Sequence, residues 1–251
     1  MSGHLHLDNL GISFNGFKAV SGLSLTVDKG ELRCLIGPNG AGKTTALDLI
    51  CGKVMPETGR IVYRGQDLTK AEDFQIARAG IGRKFQIPSV FKQLTVRENL
   101  EVAYCEHTGI LWNLFHWTRS DHSEGLAELA EFVGLADHLE EPAAHLSHGQ
   151  TQWLEIALLL AQNAELILLD EPTAGMTAQE THKTAEICLR LKGKHTIIVV
   201  EHDMGFVREI GDVISVMHQG KLLAEGSVAE IENHPQVRQV YLGSAGISHG
   251  A

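Results

Sequence analysis

Gly37-Pro38-Asn39-Gly40-Ala41-Gly42-Lys43-Thr44 has the spacing G-x-x-x-x-G-K-S/T, and the chemistry of that spacing is phosphate binding. Glycines let the backbone curl until successive N–H groups point at one anion, and a following helix N-terminus adds positive potential. Lys43 supplies a point charge for β- and γ-phosphates, Thr44 supplies a hydroxyl for Mg²⁺, and Thr45 extends the phosphate-binding set. A second segment, Leu166-Ile167-Leu168-Leu169-Asp170-Glu171, delivers two carboxylates at the end of an apolar run. Asp170 is placed to hold Mg²⁺ through water, and Glu171, facing differently, to polarise an attacking water. Single acidic pairs are usually solvated, but at the end of a buried strand unpaired charge is costly without a metal or ligand. The chain is therefore expected to bind a nucleoside triphosphate.

A third segment is Leu146-Ser147-His148-Gly149-Gln150. Ser147 can cap a helix that runs on through Trp153 and Leu154, leaving free N–H groups at a positive helix end. Taken alone, such a cap is ordinary.

The elements that must hold these residues can be read from periodicity. An apolar run from Glu31 to Ile36 leads into the glycine loop, and a helical pattern through Leu47, Leu49 and Ile50 leads out. Leu166–Leu169 and Thr196–Val200 are buried strand candidates separated by a helical span, Ala178–Lys192. Continuous apolar strands alternating with helices argue for a parallel sheet covered on both faces. Leu5 and Leu7, then Leu10, Ile12 and Phe14, alternate with polar neighbours up to the turn Asn15-Gly16. Ser24–Val27 and Arg60–Tyr63 continue that pattern, so an antiparallel β layer is expected beside the parallel core. From Pro88 to about Gln162 the pattern is helical, clearest over Gly125–Val133. Within it, His107–His122 carries Trp112, Phe115 and Trp117 without a clean period and reads as a loop or short helix, its aromatics suiting an interface or core packing equally. Ile214–Met217 and Lys221–Ala224 form a hairpin around Gln219-Gly220. The expected architecture is α/β, one domain over residues 1–251 with a helical insertion at about 88–162.

Bulk properties narrow the functions. At 251 residues, 43% hydrophobic and 21% charged, the chain reads as soluble and globular. Its net charge of −10 argues against nucleic acid as a partner. No leader pattern precedes the first strand, and the apolar segments are too short to span a bilayer, which leaves peripheral membrane attachment open. The 4 cysteines, Cys34, Cys51, Cys105 and Cys188, lack metal spacing and are expected as buried reduced thiols. Most of the 14 histidines are expected at the surface.

In chain order stand the phosphate loop, Gln86 in Arg83-Lys84-Phe85-Gln86, Leu-Ser-x-Gly-Gln, the carboxylate strand with Glu171, and His202 in Glu201-His202-Asp203. That series resembles the ATP-binding-cassette ATPases over essentially the whole chain. The resemblance implies a RecA-like P-loop NTPase core with an antiparallel β subdomain and a helical subdomain, using ATP and Mg²⁺. It implies two cassettes arranged head to tail, with Ser147, His148, Gly149 and Gln150 of one meeting ATP on the phosphate loop of the other. Gln86 would sense Mg²⁺ and water and relay to a membrane partner, and His202 would hold the γ-phosphate and attacking water. Phe14 stands where the family keeps an adenine-stacking aromatic, although a core aromatic on a strand is the other reading. The implied partners are a second cassette, two integral membrane permease subunits and, indirectly, a periplasmic solute-binding protein, at the cytoplasmic face of a bacterial inner membrane.

Two segments depart from the common pattern. His148 replaces the first glycine of Leu-Ser-Gly-Gly-Gln, and Ala174-Gly175-Met176-Thr177 lacks the usual Ser-x-Leu-Asp form of the following loop. Those departures, with Gln152-Trp153-Leu154-Glu155, Glu31-Leu32-Arg33-Cys34 and Val240-Tyr241-Leu242-Gly243, are similar to the branched-chain amino-acid-type importers, nearest the urea-importing group. A cassette for branched-chain amino acids or another amide is the alternative. A soluble cassette acting on ribosomes or DNA would bring two cassettes or coiled-coil insertions, and a small-molecule kinase has no need of the Ser147–Gln150 signature.

Overall fold

The computed structural model describes residues 4–84, 90–105 and 119–245. Gln86, Trp112, Phe115 and Trp117 lie outside them.

The chain opens with a hairpin, β1 (Leu5–Phe14) and β2 (Phe17–Val27). Asn15 and Gly16 have φ of 50° and 83°, the doubly positive geometry of a two-residue type I′ turn. Next come β3 (Leu32–Ile36), the phosphate loop, and α1 (Lys43–Ile50). β4 (Thr58–Tyr63) and the short β5 (Gln66–Asp67) complete an antiparallel sheet in the order β2-β1-β4-β5. The two separate runs read at the N-terminus are one strand, bulged between Leu7 and Leu10 where it pairs with β2.

After α2 (Asp73–Arg78) and β6 (Ile81–Arg83) the described residues include α3 (Val96–Cys105), α4 (Arg119–Val133) and α5 (His148–Ala161). The chain continues through β7 (Leu166–Asp170), α6 (Ala178–Leu191), β8 (Thr196–Val200) and α7 (Met204–Ile210). It ends with the hairpin β9 (Val213–His218) and β10 (Lys221–Gly226), then α8 (Val228–Asn233) and α9 (Pro235–Ala245). The second sheet has the order β10-β9-β3-β8-β7-β6, parallel except for the edge strand β10.

Every residue of β3, β7 and β8 is buried, as parallel strands covered on both faces require. One face carries a core with α5, α6 and α7, through residues such as Leu154, Ile187 and Phe206. The other packs α1 against both sheets through Leu47, Leu49, Leu7 and Ile198. Two layers thus clamp the helix that the phosphate loop starts, and the loops after β3, β7 and β8 emerge along one edge. Cys34 and Cys188 are buried as expected, while Cys51 is half-buried. Among the described histidines His4 is buried, its Nε2 3.0 Å from the Tyr63 hydroxyl.

Candidate functional site: a phosphate loop, two strand-end carboxylates and a capped signature helix

The phosphate loop is built by close approaches that only glycine allows. A Cβ on Gly37 would stand 2.2 Å from the Met217 carbonyl oxygen, and one on Gly42 2.4 Å from that of Ala19. Gly42, at φ 98°, is the N-cap of α1, so the loop enters the helix with its N–H groups turned inward. Backbone bonds from Ala41 N–H to the Pro38 carbonyl and from Gly220 N–H to the Ala41 carbonyl set its curvature. The Lys43 ammonium lies inside the curl and donates to the Gly37 carbonyl at 2.8 Å and the Pro38 carbonyl at 3.1 Å. Burial lowers the Lys43 pKa from the ordinary lysine value, against the opposing pull of Glu171 and Asp170. Its charge is short of solvent and aimed at whatever anion enters the loop.

Asp170 ends β7, fully inside the protein. Arg83, at the end of β6, donates to Asp170 Oδ2 at 3.2 Å, and its other terminal nitrogen pairs with Asp48 on α1. Asp170 Oδ1 is buried and has no hydrogen-bond partner among the described residues. A buried acceptor left unmet costs roughly 1–3 kcal/mol, so a hard cation or its water suits this oxygen; the donor set fits Mg²⁺, with Asp170 and Thr44 to hold it. Glu171, the next residue, has φ 47°, an uncommon left-handed conformation for a non-glycine residue. That twist carries its side chain off the strand direction, while its N–H bonds the Val200 carbonyl at 2.9 Å. Its carboxylate is partly exposed and Oε1 lies 3.7 Å from His202 Nδ1. The two carboxylates therefore have different surroundings, one closed in by Arg83 and one open to a reacting water.

Glu201 ties these loops together. Its buried carboxylate accepts from Thr173 Oγ1 at 2.6 Å and Thr173 N–H at 3.2 Å, and from His202 N–H at 3.0 Å. The loop after β7 is thereby fixed to the loop after β8, which carries His202. Asp203 closes that loop by capping α7 through the Gly205 N–H at 2.7 Å. The signal was available: like Asp170, Glu201 follows directly on an apolar strand.

The signature segment stands elsewhere. Ser147 caps α5, accepting from Gln150 N–H at 3.2 Å, and the Gln150 side chain returns the bond to Ser147 N–H at 2.8 Å. The Gln150 side-chain nitrogen lies 2.8 Å from His138 Nε2, so both ends of this side chain have partners. His148 is exposed, and its Nε2 lies 3.0 Å from the Ala174 carbonyl. Ser147 itself is exposed and bonds Glu180 at 2.9 Å. Among the described residues no hydrogen bond joins this segment to the phosphate loop. Lys43, Asp170, Glu171 and His202 are gathered on one edge, and among the described residues no hydrogen bond joins Ser147–Gln150 to any of them.

Phe14 is 45% exposed at the hairpin tip and is not a core side chain. It pairs directly with Phe17, which is 65% exposed, so two aromatic rings share that tip. Phe17 was missed, although the two-residue turn Asn15-Gly16 already places it opposite Phe14.

The chain is similar throughout its length to known proteins. The ABC transporter family profile matches residues 20–174, and the profile of branched-chain amino acid ATP-binding cassette transporters matches residues 221–247. The high-affinity branched-chain amino acid transport ATP-binding protein LivG of Salmonella typhimurium is 38% identical over 250 residues, covering 96% of this chain and 98% of its own. The corresponding protein BraF of Pseudomonas aeruginosa is 36% identical over 250 residues, with coverage of 96% and 98%. A crystal structure of the ADP conformation of an ABC transporter's ATP-binding cassette superposes with a TM-score of 0.83 at 32% identity, covering 95% of this chain and 98% of that one.

Proposed function

Because this chain belongs to the ATP-binding proteins of ABC transporters, of the branched-chain amino acid type, we propose that it powers uptake of branched-chain amino acids through a site shared by two cassettes. The observation that supports the shared site is that the capped helix end at Ser147 is exposed and, among the described residues, has no hydrogen bond to the phosphate loop or to Glu171. In this reading the phosphate loop, Lys43 and Thr44 cradle the ATP phosphates, and Phe14 takes the adenine. Asp170 and Thr44 would hold Mg²⁺, which would supply positive charge against the phosphates. Glu171 orients and deprotonates the attacking water, and His202 supports it across the 3.7 Å gap. Ser147 and the Gly149 N–H meet the nucleotide of a second cassette, so ATP holds two subunits together until hydrolysis parts them. Gln86, between β6 and α3 in sequence, senses the bound nucleotide.

Two membrane permease subunits receive that motion. A groove of about 250 Å³ beside β6 and α3, with Lys84, Phe91, Asn99 and Val102 among its lining, suits an inserted helix end. Phe91 is 57% exposed there, while buried Asn99 pins it from both sides, accepting its N–H at 2.8 Å and donating to its carbonyl at 3.1 Å. Among the described residues no helix is long and apolar enough to cross a membrane, in keeping with attachment to those subunits at the cytoplasmic face. A solute-binding protein delivers the cargo from the far side. Urea, expected from the signature residues, has no specific support in the relatives, whose names specify branched-chain amino acid transport.

Vesicles carrying the membrane subunits and this cassette test the reading. ATP should drive uptake of labelled leucine in the presence of the solute-binding protein. Uptake of labelled urea but not leucine overturns the solute, and turnover of ATP with uptake of neither overturns import.

A further inference from the structure

Glu180 sits where an anion from outside the chain is expected. It belongs to the first turn of α6 and caps that helix: Oε2 accepts the Thr177 N–H and the Thr177 hydroxyl, each at 2.9 Å. Its other oxygen crosses to α5. Oε1 accepts the Ser147 hydroxyl at 2.9 Å and packs against Gly149. A Cβ on Gly149 would lie 2.5 Å from Oε1, so the glycine is what leaves the carboxylate room. The Thr177 N–H first, then the Ser147 and Thr177 hydroxyls, lower the Glu180 pKa, and the group is a full anion at neutral pH. One half-buried carboxylate thus spans two helix N-termini.

We propose that Glu180 is a positioning residue of the two-cassette site: its carboxylate seats on Ser147 Oγ and against Gly149 as an internal stand-in for γ-phosphate, and it leaves when the partner's nucleotide docks. The inference rests on the shared site proposed above. Ser147 has one hydroxyl proton, and while that proton is given to Glu180 it is not available to phosphate. Two anions also compete for one small patch of positive potential at the helix end. Release needs only a side-chain rotation, because Oε2 can keep its bonds to Thr177. Meanwhile His148, through its bond to the Ala174 carbonyl, keeps the signature helix joined to the loop before α6. The seat stays shaped and uncompensated charge stays off it until ATP arrives from the other cassette.

The test uses the full chain carrying Glu171→Gln, which should retain ATP, alone and mixed with the second cassette of its transporter. Sedimentation reads the ATP concentration at which two-cassette particles form. Adding Glu180→Gln removes the competing charge but keeps an acceptor for Thr177, and should lower that midpoint about tenfold. ATP affinity of the unassociated chain should not move. Glu180→Asp, too short to reach Gly149, should shift association the same way. An unchanged or raised midpoint in both variants overturns the role of Glu180. No association of any variant at saturating ATP overturns the shared site itself.

Discussion

Arg83 is the residue whose removal should be felt most strongly, and its cost can be worked from its partners. Its side chain and that of Asp170 are 4% and 1% exposed, and they pair at 3.2 Å. At that separation an effective dielectric of about 20 gives a gross attraction of about 5 kcal/mol, much of it offsetting desolvation. Replacing Arg83 with Met leaves the Asp170 carboxylate buried with neither oxygen satisfied, since Oδ1 already lacks a partner among the described residues. Removing one member of a buried pair costs roughly 3–5 kcal/mol, and we expect Arg83→Met to lose that much stability. Asp170→Asn should cost less, because Arg83 keeps Asp48 as a second partner, whose side chain is 17% exposed. The double variant should recover part of the loss, with a coupling energy of about 2 kcal/mol. Arg83→Lys should fall between, since one ammonium cannot bridge both carboxylates as the guanidinium fork does. Denaturant unfolding of the nucleotide-free protein measures all four. Additivity of the single variants to within about 0.5 kcal/mol would refute the claim that Arg83 holds Asp170.

Three further outcomes follow from named contacts. Lys43→Ala should abolish measurable ATP binding by the isolated chain while leaving its unfolding midpoint nearly unchanged, because the ammonium bonds only two carbonyls of its own loop; unchanged ATP affinity would overturn the loop assignment. Phe14→Ala and Phe17→Ala should each weaken ATP binding by roughly five- to tenfold, the scale of about 1–1.5 kcal/mol for an aromatic stacking contact, and should leave inorganic triphosphate binding alone; equal losses for both ligands would place these rings away from the base. The Cys188 thiol is buried and its pKa is pushed up to about 12. A folded-state pKa above the unfolded one gives stability that is full below about pH 8.5 and lost as pH rises toward 12, at up to about 1.4 kcal/mol per unit. Cys188→Ala should therefore flatten the alkaline stability slope, and an unaltered slope between pH 8.5 and 10 would contradict this.

What the amino-acid order disclosed depended on how local the interaction was. Gly37–Thr44, the apolar runs ending in Asp170 and preceding Glu201, and the Asn15-Gly16 turn are all local signals, and each produced the element that its spacing demands. β6 has only three residues and gives no period to read, yet it delivers Arg83 to the carboxylates. Arg83 and Asp170 are 87 positions apart, and Ser147 and Glu180 are 33 apart. Pairings at those separations exist only once the strands and helices are packed. The left-handed backbone of Glu171 was equally hidden, because no local signal for it precedes a buried strand end. The solute was least legible of all. In the proposed arrangement it passes through other subunits and never meets this chain, so nothing in the cassette is selected by its chemistry.

The central claim is that this chain turns over ATP with Glu171 acting on water and the phosphate loop acting on the nucleotide. The measurement that meets it directly is steady-state hydrolysis by wild type and Glu171→Gln, with ATP affinity taken on the same samples. Loss of a group that activates water is worth roughly 10²–10⁴-fold in rate. The account predicts a fall of that size with ATP affinity held within about threefold. Hydrolysis at the wild-type rate by Glu171→Gln, with ATP bound equally well, would contradict it.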